Sequence, residues 1–379
     1  MTQSPLSAND PGANVAELPV ISFDHVELYV GNALQAAYYY QHAFGFNLIA
    51  YRGAETGDHE KTSYVLKQGN VTLVLTAALN PDNEIAEHEK VHGDGVKSIA
   101  LRVQDASASF ASTIARGAQA ALPYEEISDQ DGVFRHASIH TYGATVHTFI
   151  ERSAYKGAFA PGYRAMSEAK TESKTEPVGL LAIDHVVGNV PVGKLGYWVD
   201  FYKRVFGFYV YQEFSAKDIS TKYSSLISAV MANKNTSVKL PLNEPAEGLR
   251  KSQIQEYLDY YHEPGVQHIA ISTADIIATV KEMRERGVKF LKIPKSYYDA
   301  LPERIGKIDE NIDDLANLGI LVDRESKGYL LQIFTKPVED RPTMFFEIIQ
   351  RKGATGFGKG NFKALFEAIE AEQARRGNL

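Results

Sequence analysis

The chain has 379 residues, enough for two ordinary domains, and its 44% hydrophobic and 23% charged residues are typical of a globular protein. It contains no cysteine, which excludes disulfides, thiolate nucleophiles, iron–sulfur clusters and cysteine-ligated zinc. The net charge of −7 does not favour nucleic-acid binding, and no apolar run approaches the ~20 residues of a membrane span.

Composition along the chain predicts its division into domains. Residues 1–18 are polar and lack the basic start and apolar centre of a secretory signal, so we expect a disordered lead in a cytoplasmic protein. Residues 160–179 are rich in Ser, Thr, Glu and Lys, a composition typical of linkers. The sequence therefore predicts one domain over 19–159 and a second over 180–379.

Three stretches of the first domain return in the second in the same order. The paired stretches are residues 23–46 with 183–208, 96–119 with 266–289, and 143–152 with 341–351. Both members of the first pair begin with an Asp-His-Val strand, continue as an aromatic-rich helix and end in Phe-Gly-Phe. Both members of the second pair are a strand followed by a helix that ends at a glycine. The third pair is a strand with alternating apolar residues. This repeat predicts an α+β fold of two tandem domains, each built from paired βαβββ modules whose sheet curls around a cavity.

The repeated strands of the second domain carry His185, His268 and Glu347. Because alternate side chains of a strand share one face, all three can point into the predicted cavity. Two imidazoles and one carboxylate form the facial triad of iron(II) oxygenases, which leaves positions open for a bidentate substrate and O₂. The sequence predicts a metal site here. The alternative is two core histidines and an unrelated edge glutamate, which would have to coincide at three matching places.

At the matching places the first domain carries His25, Ser98 and Thr148. Hydroxyls replace two of the three ligands, so this domain is predicted to be metal-free. The other histidines lie in the first domain or on polar segments and are predicted to be solvated or structural: His42, His59, His88, His92, His136, His140, His147 and His262.

Three long motifs carry a resemblance to a known family: residues 240–271 (LPLNEPAEGLRKSQIQEYLDYYHEPGVQHIAI), 328–351 (GYLLQIFTKPVEDRPTMFFEIIQR) and 356–373 (GFGKGNFKALFEAIEAEQ). From about residue 20 onwards the chain resembles the 4-hydroxyphenylpyruvate dioxygenases of the vicinal oxygen chelate superfamily. The resemblance implies the same three metal ligands, one Fe(II) per chain, and conversion of an aromatic 2-oxo acid and O₂ to homogentisate and CO₂ in tyrosine and phenylalanine catabolism.

The resemblance also implies a substrate pocket. Its residues fall here on Ser228, Asn243, Gln253, Gln267, Gln332, Phe334, Phe345, Phe357, Asn361 and Phe362. The phenylalanines are suited to an aromatic ring and the neutral polar groups to a phenol and a keto acid. Gln253, Gln267 and Asn243 are expected to serve catalysis by orienting the ring. Phe334 and Phe345, taken alone, are more typical of strand core.

The C-terminal tail combines a flexible run with an amphipathic helix. Its glycines are Gly353, Gly356, Gly358 and Gly360, and the apolar stripe that follows is Phe362, Leu365, Phe366 and Ile369. The stripe has helical spacing, so the helix is predicted to cover an apolar surface. With the glycine hinge and the family resemblance, we interpret it as a lid over the site.

Other functions remain open on the sequence. Hydroxymandelate synthase is similar in its triad, substrate and use of O₂ but hydroxylates elsewhere, and an extradiol dioxygenase would cleave a catechol ring. A metal-free protein that binds an aromatic ligand is the non-enzymatic alternative. The resemblance further implies a homo-oligomer, a dimer or tetramer. Charge and composition predict no nucleic-acid or membrane partner.

Overall fold

The computed structural model describes residues 15–166, 175–221 and 223–378. Most of the predicted disordered lead, residues 1–14, and the middle of the predicted linker, residues 167–174, lie outside the described residues. Among the described residues, no helix is long and apolar enough to cross a membrane.

The strands fall into two groups that form separate sheets. The first group comprises β1 (Val20–Tyr29), β2 (Asn47–Arg52), β3 (Lys61–Gln68), β4 (Val71–Ala78), β5 (Gly95–Val103), β6 (Ala120–Asp129), β7 (Gly132–His140), β8 (Val146–Glu151) and β9 (Arg164–Ala165). The second group comprises β10 (Leu180–Asn189), β11 (Tyr209–Phe214), β12 (Ser225–Ala232), β13 (Lys239–Ala246), β14 (Gly265–Thr273), β15 (Leu321–Glu325), β16 (Gly328–Phe334) and β17 (Phe345–Lys352).

Helices connect the strands and close the chain. They are α1 (Ala33–Phe44), α2 (Glu84–His92), α3 (Ala106–Ala115), α4 (Leu195–Phe201), α5 (Gln253–Tyr261), α6 (Ile276–Glu285), α7 (Lys295–Asp299), α8 (Leu301–Ile305), α9 (Ile312–Leu318) and α10 (Phe362–Arg376). Helix α4 continues as a π-helical turn over Tyr202–Phe206, and short 3₁₀ turns cover Ala54–Thr56 and Lys359–Asn361.

Both sheets have the same central topology. Strand β1 pairs antiparallel with β5 and parallel with β4, and β5 pairs parallel with β8. In the second sheet β10 pairs in the same senses with β14 and β13, and β14 with β17. Each half thus contains two βαβββ modules, and the predicted α+β fold of two tandem curled sheets is confirmed.

The predicted linker begins with residues that belong to the first sheet. Strand β9 pairs with Tyr51 and the neighbouring Ala50 of β2. The turn before it carries Phe159, which packs in a small core with Ala50 and Ile150. Ordered structure of the first half therefore extends past residue 159, the predicted end of its domain.

The Phe-Gly-Phe motifs end the first helix of each half. Gly45 and Gly207 adopt left-handed backbone conformations, with φ of 72° and 68°, which glycine accepts without strain. The phenylalanine before each glycine packs against the last long strand of the other half, β17 for Phe44 and β8 for Phe206. Phe44 lies 5.0 Å from Phe346 between ring centroids, and Phe206 lies 5.2 Å from His147.

Because the first helix of each half packs on a strand of the other, the two halves share one continuous core. It also supports the strand that carries Glu347, because Phe346 faces the other side of that strand. His147 is fully buried and its Nε2 lies 2.8 Å from the Tyr202 hydroxyl, which agrees with the structural role predicted for it.

Candidate metal centre

Three neighbouring strands bring His185, His268 and Glu347 together. His185 lies on β10, His268 on β14 and Glu347 on β17, and all three side chains are buried. Oε2 of Glu347 lies 3.2 Å from Nε2 of His185 and 3.4 Å from Nε2 of His268. Among the described residues they form the sole group of at least three His, Cys, Asp or Glu with converging ligand atoms.

These separations fit a metal ion. Ligands at about 2.1 Å from an octahedral ion and at right angles to one another are about 3 Å apart. The carboxylate and each imidazole have nearly that spacing already. The arrangement is the two-histidine, one-carboxylate face on which iron(II) oxygenases leave positions open.

The far side of each imidazole is held by a hydrogen-bond acceptor. Nδ1 of His185 lies 2.8 Å from the Asp184 carboxylate, and Nδ1 of His268 lies 3.0 Å from Oε1 of Gln267. A neutral imidazole with its proton on Nδ1 presents the Nε2 lone pair to the site. Asp184 is itself held by Arg351 through two hydrogen bonds of 2.8 Å.

The site favours an ionised carboxylate. Burial opposes the charge on Glu347, yet the adjacent imidazoles lower its pKa to about 2. Burial also disfavours a charged His185, but the carboxylates of Glu347 and Asp184 raise its pKa above the ordinary value. For His268 burial prevails and lowers the pKa. A divalent cation bound between the two imidazoles would stabilise the buried negative charge of Glu347.

A cavity opens over these three residues. Predicted pocket residues line it as follows: Ser228, Asn243, Gln253, Gln267, Gln332, Phe334, Phe345, Phe357 and Phe362. Asn361 does not line the cavity. It lies behind Gln332, and its Nδ2 donates to Oε1 of Gln332 at 3.0 Å.

Two of the lining phenylalanines also pack on the imidazoles. Phe345 stacks on His268 with ring centroids 4.8 Å apart and an interplanar angle of 18°. Phe357 meets His185 edge-on at 4.9 Å. Such rings limit rotation of the imidazoles and keep water away from them, so they belong to the site as well as to the pocket wall.

Helix α10 covers the cavity. The stripe predicted from its spacing, Phe362, Leu365, Phe366 and Ile369, lines the cavity, and Phe362 packs edge-on against Phe214 at 4.8 Å. Glu370 accepts a hydrogen bond from Ser224 at 2.6 Å, and Arg376 forms an ion pair with Glu256 at 2.7 Å. In this structure the helix therefore lies over the site, as a closed lid would.

Several residues of the site were not identified from the sequence. Phe214 and Pro241 line the cavity, but they lie on strands whose apolar pattern is ordinary. Arg351 and Asp184 support His185 without lining the cavity. For Asp184 a signal existed, because both halves repeat Asp-His-Val.

The first half has the same geometry with other side chains. The register of β1, β5 and β8 places His25, Ser98 and Thr148 where the second half has its imidazoles and carboxylate. The Ser98 and Thr148 hydroxyls lie 2.7 Å apart and hydrogen-bond each other. Phe159 covers His25 at 5.1 Å.

Comparison with known proteins places these features in a family. Residues 17–160 match the N-terminal family described as hydroxyphenylpyruvate dioxygenase, HPPD, and residues 182–313 match the Glyoxalase/Bleomycin resistance protein/Dioxygenase superfamily. The chain is 50% identical over 365 residues to 4-hydroxyphenylpyruvate dioxygenase of Dictyostelium discoideum, which covers 94% of this chain and 99% of that protein. It is 47% identical over 378 residues to the enzyme of the same name from Caenorhabditis elegans, covering 98% of this chain and 96% of that one.

A solved structure is also similar. A triple mutant of 4-hydroxymandelate synthase from Streptomyces coelicolor matches with a TM-score of 0.84 and 33% identity, covering 94% of this chain and all of that one. Its identity is lower than that of the dioxygenases over a comparable span. The relationship predicted from the three motifs is confirmed, and this chain belongs to the 4-hydroxyphenylpyruvate dioxygenase family.

Proposed function

We propose that this chain converts 4-hydroxyphenylpyruvate and O₂ to homogentisate and CO₂. The convergence of His185, His268 and Glu347 beneath a covered, largely aromatic cavity carries the proposal. Relatives that bear the name of this activity and share about half of the sequence over nearly the whole chain support it.

We infer that the metal is Fe(II), one ion per chain. The donor set of His185, His268 and Glu347 is the one typical of non-haem iron(II) oxygenases. Ferrous iron supplies the Lewis acidity that a keto acid needs and the redox chemistry that O₂ needs. With a single carboxylate ligand the site retains a formal charge of 2 − 1 = +1, which favours an anionic substrate.

The chain's own residues would bind and orient the substrate. Gln267 already accepts a hydrogen bond from His268 on Oε1, so its amide N–H groups remain to donate to a substrate oxygen. With Gln253 and Asn243 it would hold the ring so that the side-chain-bearing carbon is hydroxylated. Ser228 adds a further polar contact at the cavity wall.

The aromatic wall would enclose the substrate ring and exclude water. Phe334, Phe345, Phe357 and Phe362 line the cavity, and helix α10 covers it. Exclusion of water protects the reacting groups from side reactions and strengthens polar contacts to the substrate. Gln332 lines the same cavity, and we infer that Asn361 acts on the substrate only through Gln332.

Product analysis tests this function. The protein is loaded with Fe(II) without oxygen and then given 4-hydroxyphenylpyruvate and O₂, and the product is identified by chromatography and mass. Homogentisate and CO₂ are expected. 4-Hydroxymandelate would establish the hydroxymandelate synthase reaction instead, for which the similarity to that enzyme is the supporting observation.

Two further outcomes would contradict the proposal. Cleavage of a catechol ring would indicate an extradiol dioxygenase. Failure of the protein to retain iron, combined with binding of an aromatic acid, would indicate a metal-free binding protein. Iron analysis on protein purified without oxygen separates this last case from the enzymatic ones.

The cytoplasmic location and the homo-oligomeric state stay predictions. Leu34 and Tyr38 of α1 and Tyr197 beside Trp198 on α4 expose apolar surface, with 63%, 63% and 58% of Leu34, Tyr38 and Tyr197 accessible. Such side chains could contribute to a subunit contact. Light scattering of the purified protein would distinguish a monomer from a dimer or tetramer.

A further inference from the structure

A chain of hydrogen bonds leads from Glu347 to the protein surface. Nε2 of Gln332 donates to Oε1 of Glu347 at 3.1 Å, and Nδ2 of Asn361 donates to Oε1 of Gln332 at 3.0 Å. The Tyr297 hydroxyl lies 2.7 Å from Oδ1 of Asn361, and Nη2 of Arg304 donates to the Tyr297 oxygen at 2.7 Å. The carboxylate oxygen that does not face the imidazoles is thus connected to a guanidinium outside the cavity.

The Tyr297 oxygen has no acceptor position left for the Asn361 amide. The hydroxyl oxygen accepts from Val322 N–H at 2.8 Å and from Arg304 at 2.7 Å, which fills both of its acceptor positions. The hydroxyl proton is within reach of two acceptors, Oδ1 of Asn361 at 2.7 Å and the Val322 carbonyl at 2.9 Å. Nη2 of Arg304 also donates to Oδ1 of Asn361 at 3.3 Å. Burial raises the pKa of Tyr297 to about 12, so the hydroxyl proton is present at neutral pH.

Each amide in this chain has only one favourable orientation. Oδ1 of Asn361 faces two donors, Tyr297 and Arg304, so its NH₂ group must point to Gln332. The Gln332 NH₂ group must then point to Glu347. A reversed Gln332 would set its oxygen against the carboxylate. Hydrogen bonds that run in one direction polarise one another, and this series ends on an anion.

The same residues hold the start of the lid. Nη1 of Arg304 donates to the Gly360 carbonyl at 2.7 Å, and the Asp323 carboxylate accepts from Gly360 N–H at 2.9 Å. Gly360 directly precedes Asn361, the residue at the N-terminal end of α10. The segment that fixes the Asn361 amide therefore also fixes where the lid helix begins.

We propose that Tyr297 and Arg304 are positioning residues for the metal site, acting through Asn361 and Gln332 on Glu347. With Oε1 of Glu347 engaged by Gln332, Oε2 remains beside the two imidazoles as the single oxygen for the ion. This inference rests on the proposed function, because it requires that an ion binds there. Neither residue lines the cavity, so neither would contact the substrate.

Adjacent tyrosines provide a matched test. Tyr298 is buried in the core, but its hydroxyl has no hydrogen-bond partner among the described residues. We expect Tyr297→Phe to weaken Fe(II) affinity about tenfold, the lower end of the range for residues that support metal ligands. Tyr298→Phe should leave the affinity unchanged. Anaerobic competition with a chelator measures both without reference to turnover.

Two arginines extend the test. Arg324, like Arg304, donates to two backbone carbonyls, in its case those of Ile305 and Lys307, but it is not part of the chain to Glu347. Arg304→Ala should lower Fe(II) affinity and speed proteolysis in the lid, whereas Arg324→Ala should do neither. Because Tyr297 and Arg304 act in series, the double variant should lose little more affinity than the weaker-binding single variant.

Equal Fe(II) affinity in Tyr297→Phe and Tyr298→Phe would overturn the positioning role while leaving the proposed function intact. A lower melting temperature of Tyr297→Phe with unchanged iron affinity would overturn it as well, because it would show a purely structural contact. Absence of iron binding in the unmodified protein would instead overturn the proposed function and this inference together.

Discussion

Each half of the molecule has an Asp–His pair on the equivalent central strand of its own sheet. Nδ1 of His25 lies 2.8 Å from Asp24, and Nδ1 of His185 lies 2.8 Å from Asp184. In both halves an arginine four residues beyond the third ligand place donates to the aspartate from both Nε and Nη2. The support of the first histidine is therefore common to both halves.

The halves differ at the second and third ligand places. Ser98 and Thr148 hydrogen-bond each other, whereas His268 and Glu347 converge with His185 on a common point. These hydroxyls carry no charge, and Thr148 also hydrogen-bonds Ser138 at 2.8 Å. They are weaker ligands for a divalent cation than an imidazole and a carboxylate. The backbone register supplies the place for a metal site, and two side chains decide whether one exists.

The two centres are also covered differently. In the first half Phe159, a few residues after the last long strand, packs on His25. In the second half Phe357 packs on His185, and the chain then continues into the lid helix α10. The first cover belongs to a small local core, while the second lies in the wall of the cavity over His185, His268 and Glu347.

The largest contrast is expected at the third ligand place. Glu347→Ala removes the single anionic ligand of the proposed site, so iron and turnover should both be lost. The matched variant Thr148→Ala should retain one iron per chain and full turnover. Metal analysis and the product assay measure the two effects. Activity of Glu347→Ala at the level of the unmodified protein would contradict the assignment of the ligand.

The next contrast concerns the two aspartates. Asp184→Asn removes the charge that orients His185, and we expect iron affinity to fall about 10- to 100-fold. Asp24→Asn should leave iron affinity unchanged. Both variants weaken hydrogen bonds between a buried carboxylate and arginine, so each should lose on the order of 2 kcal/mol of unfolding free energy. Chelator competition and denaturant unfolding separate the two readouts; a metal defect in Asp24→Asn would mean that the first half serves the site.

A smaller contrast concerns the aromatic covers. Phe362→Ala removes a lid ring that lines the cavity, and loss of its contact should raise the Michaelis constant or weaken inhibitor binding about tenfold. Phe159→Ala, in the first half, should leave both constants unchanged. Steady-state kinetics and inhibitor titration check the pair. Unchanged constants in Phe362→Ala would argue that α10 is packing only.

The repeat in the sequence accounts for how much of this could be predicted. The two halves share an Asp-His-Val strand followed by two later strands in the same order, and this repeat predicted the curled sheets. Because alternate side chains of a strand share one face, it also predicted that His185, His268 and Glu347 meet. The pocket residues came from the family resemblance. The lid stripe was visible because its helical spacing is local.

What the sequence did not reveal depends on contacts between distant segments. Nothing near Asn361 indicates that it lies behind Gln332 and not in the cavity wall. Tyr297 precedes a second tyrosine with the same local pattern, and only the fold distinguishes the hydrogen-bonded one from the other. The short strand β9 lies in residues that composition assigned to the linker, and two residues are too few to show the periodicity of a strand.

The central claim is that one half of this molecule, and not the other, holds a single ferrous ion. Anaerobic titration with Fe(II), monitored by calorimetry, tests it on the unmodified protein, on His25→Ala and on His185→Ala. We predict one ion per chain for the unmodified protein and for His25→Ala, and no tight binding for His185→Ala. Two ions per chain, or loss of binding in His25→Ala, would contradict the account.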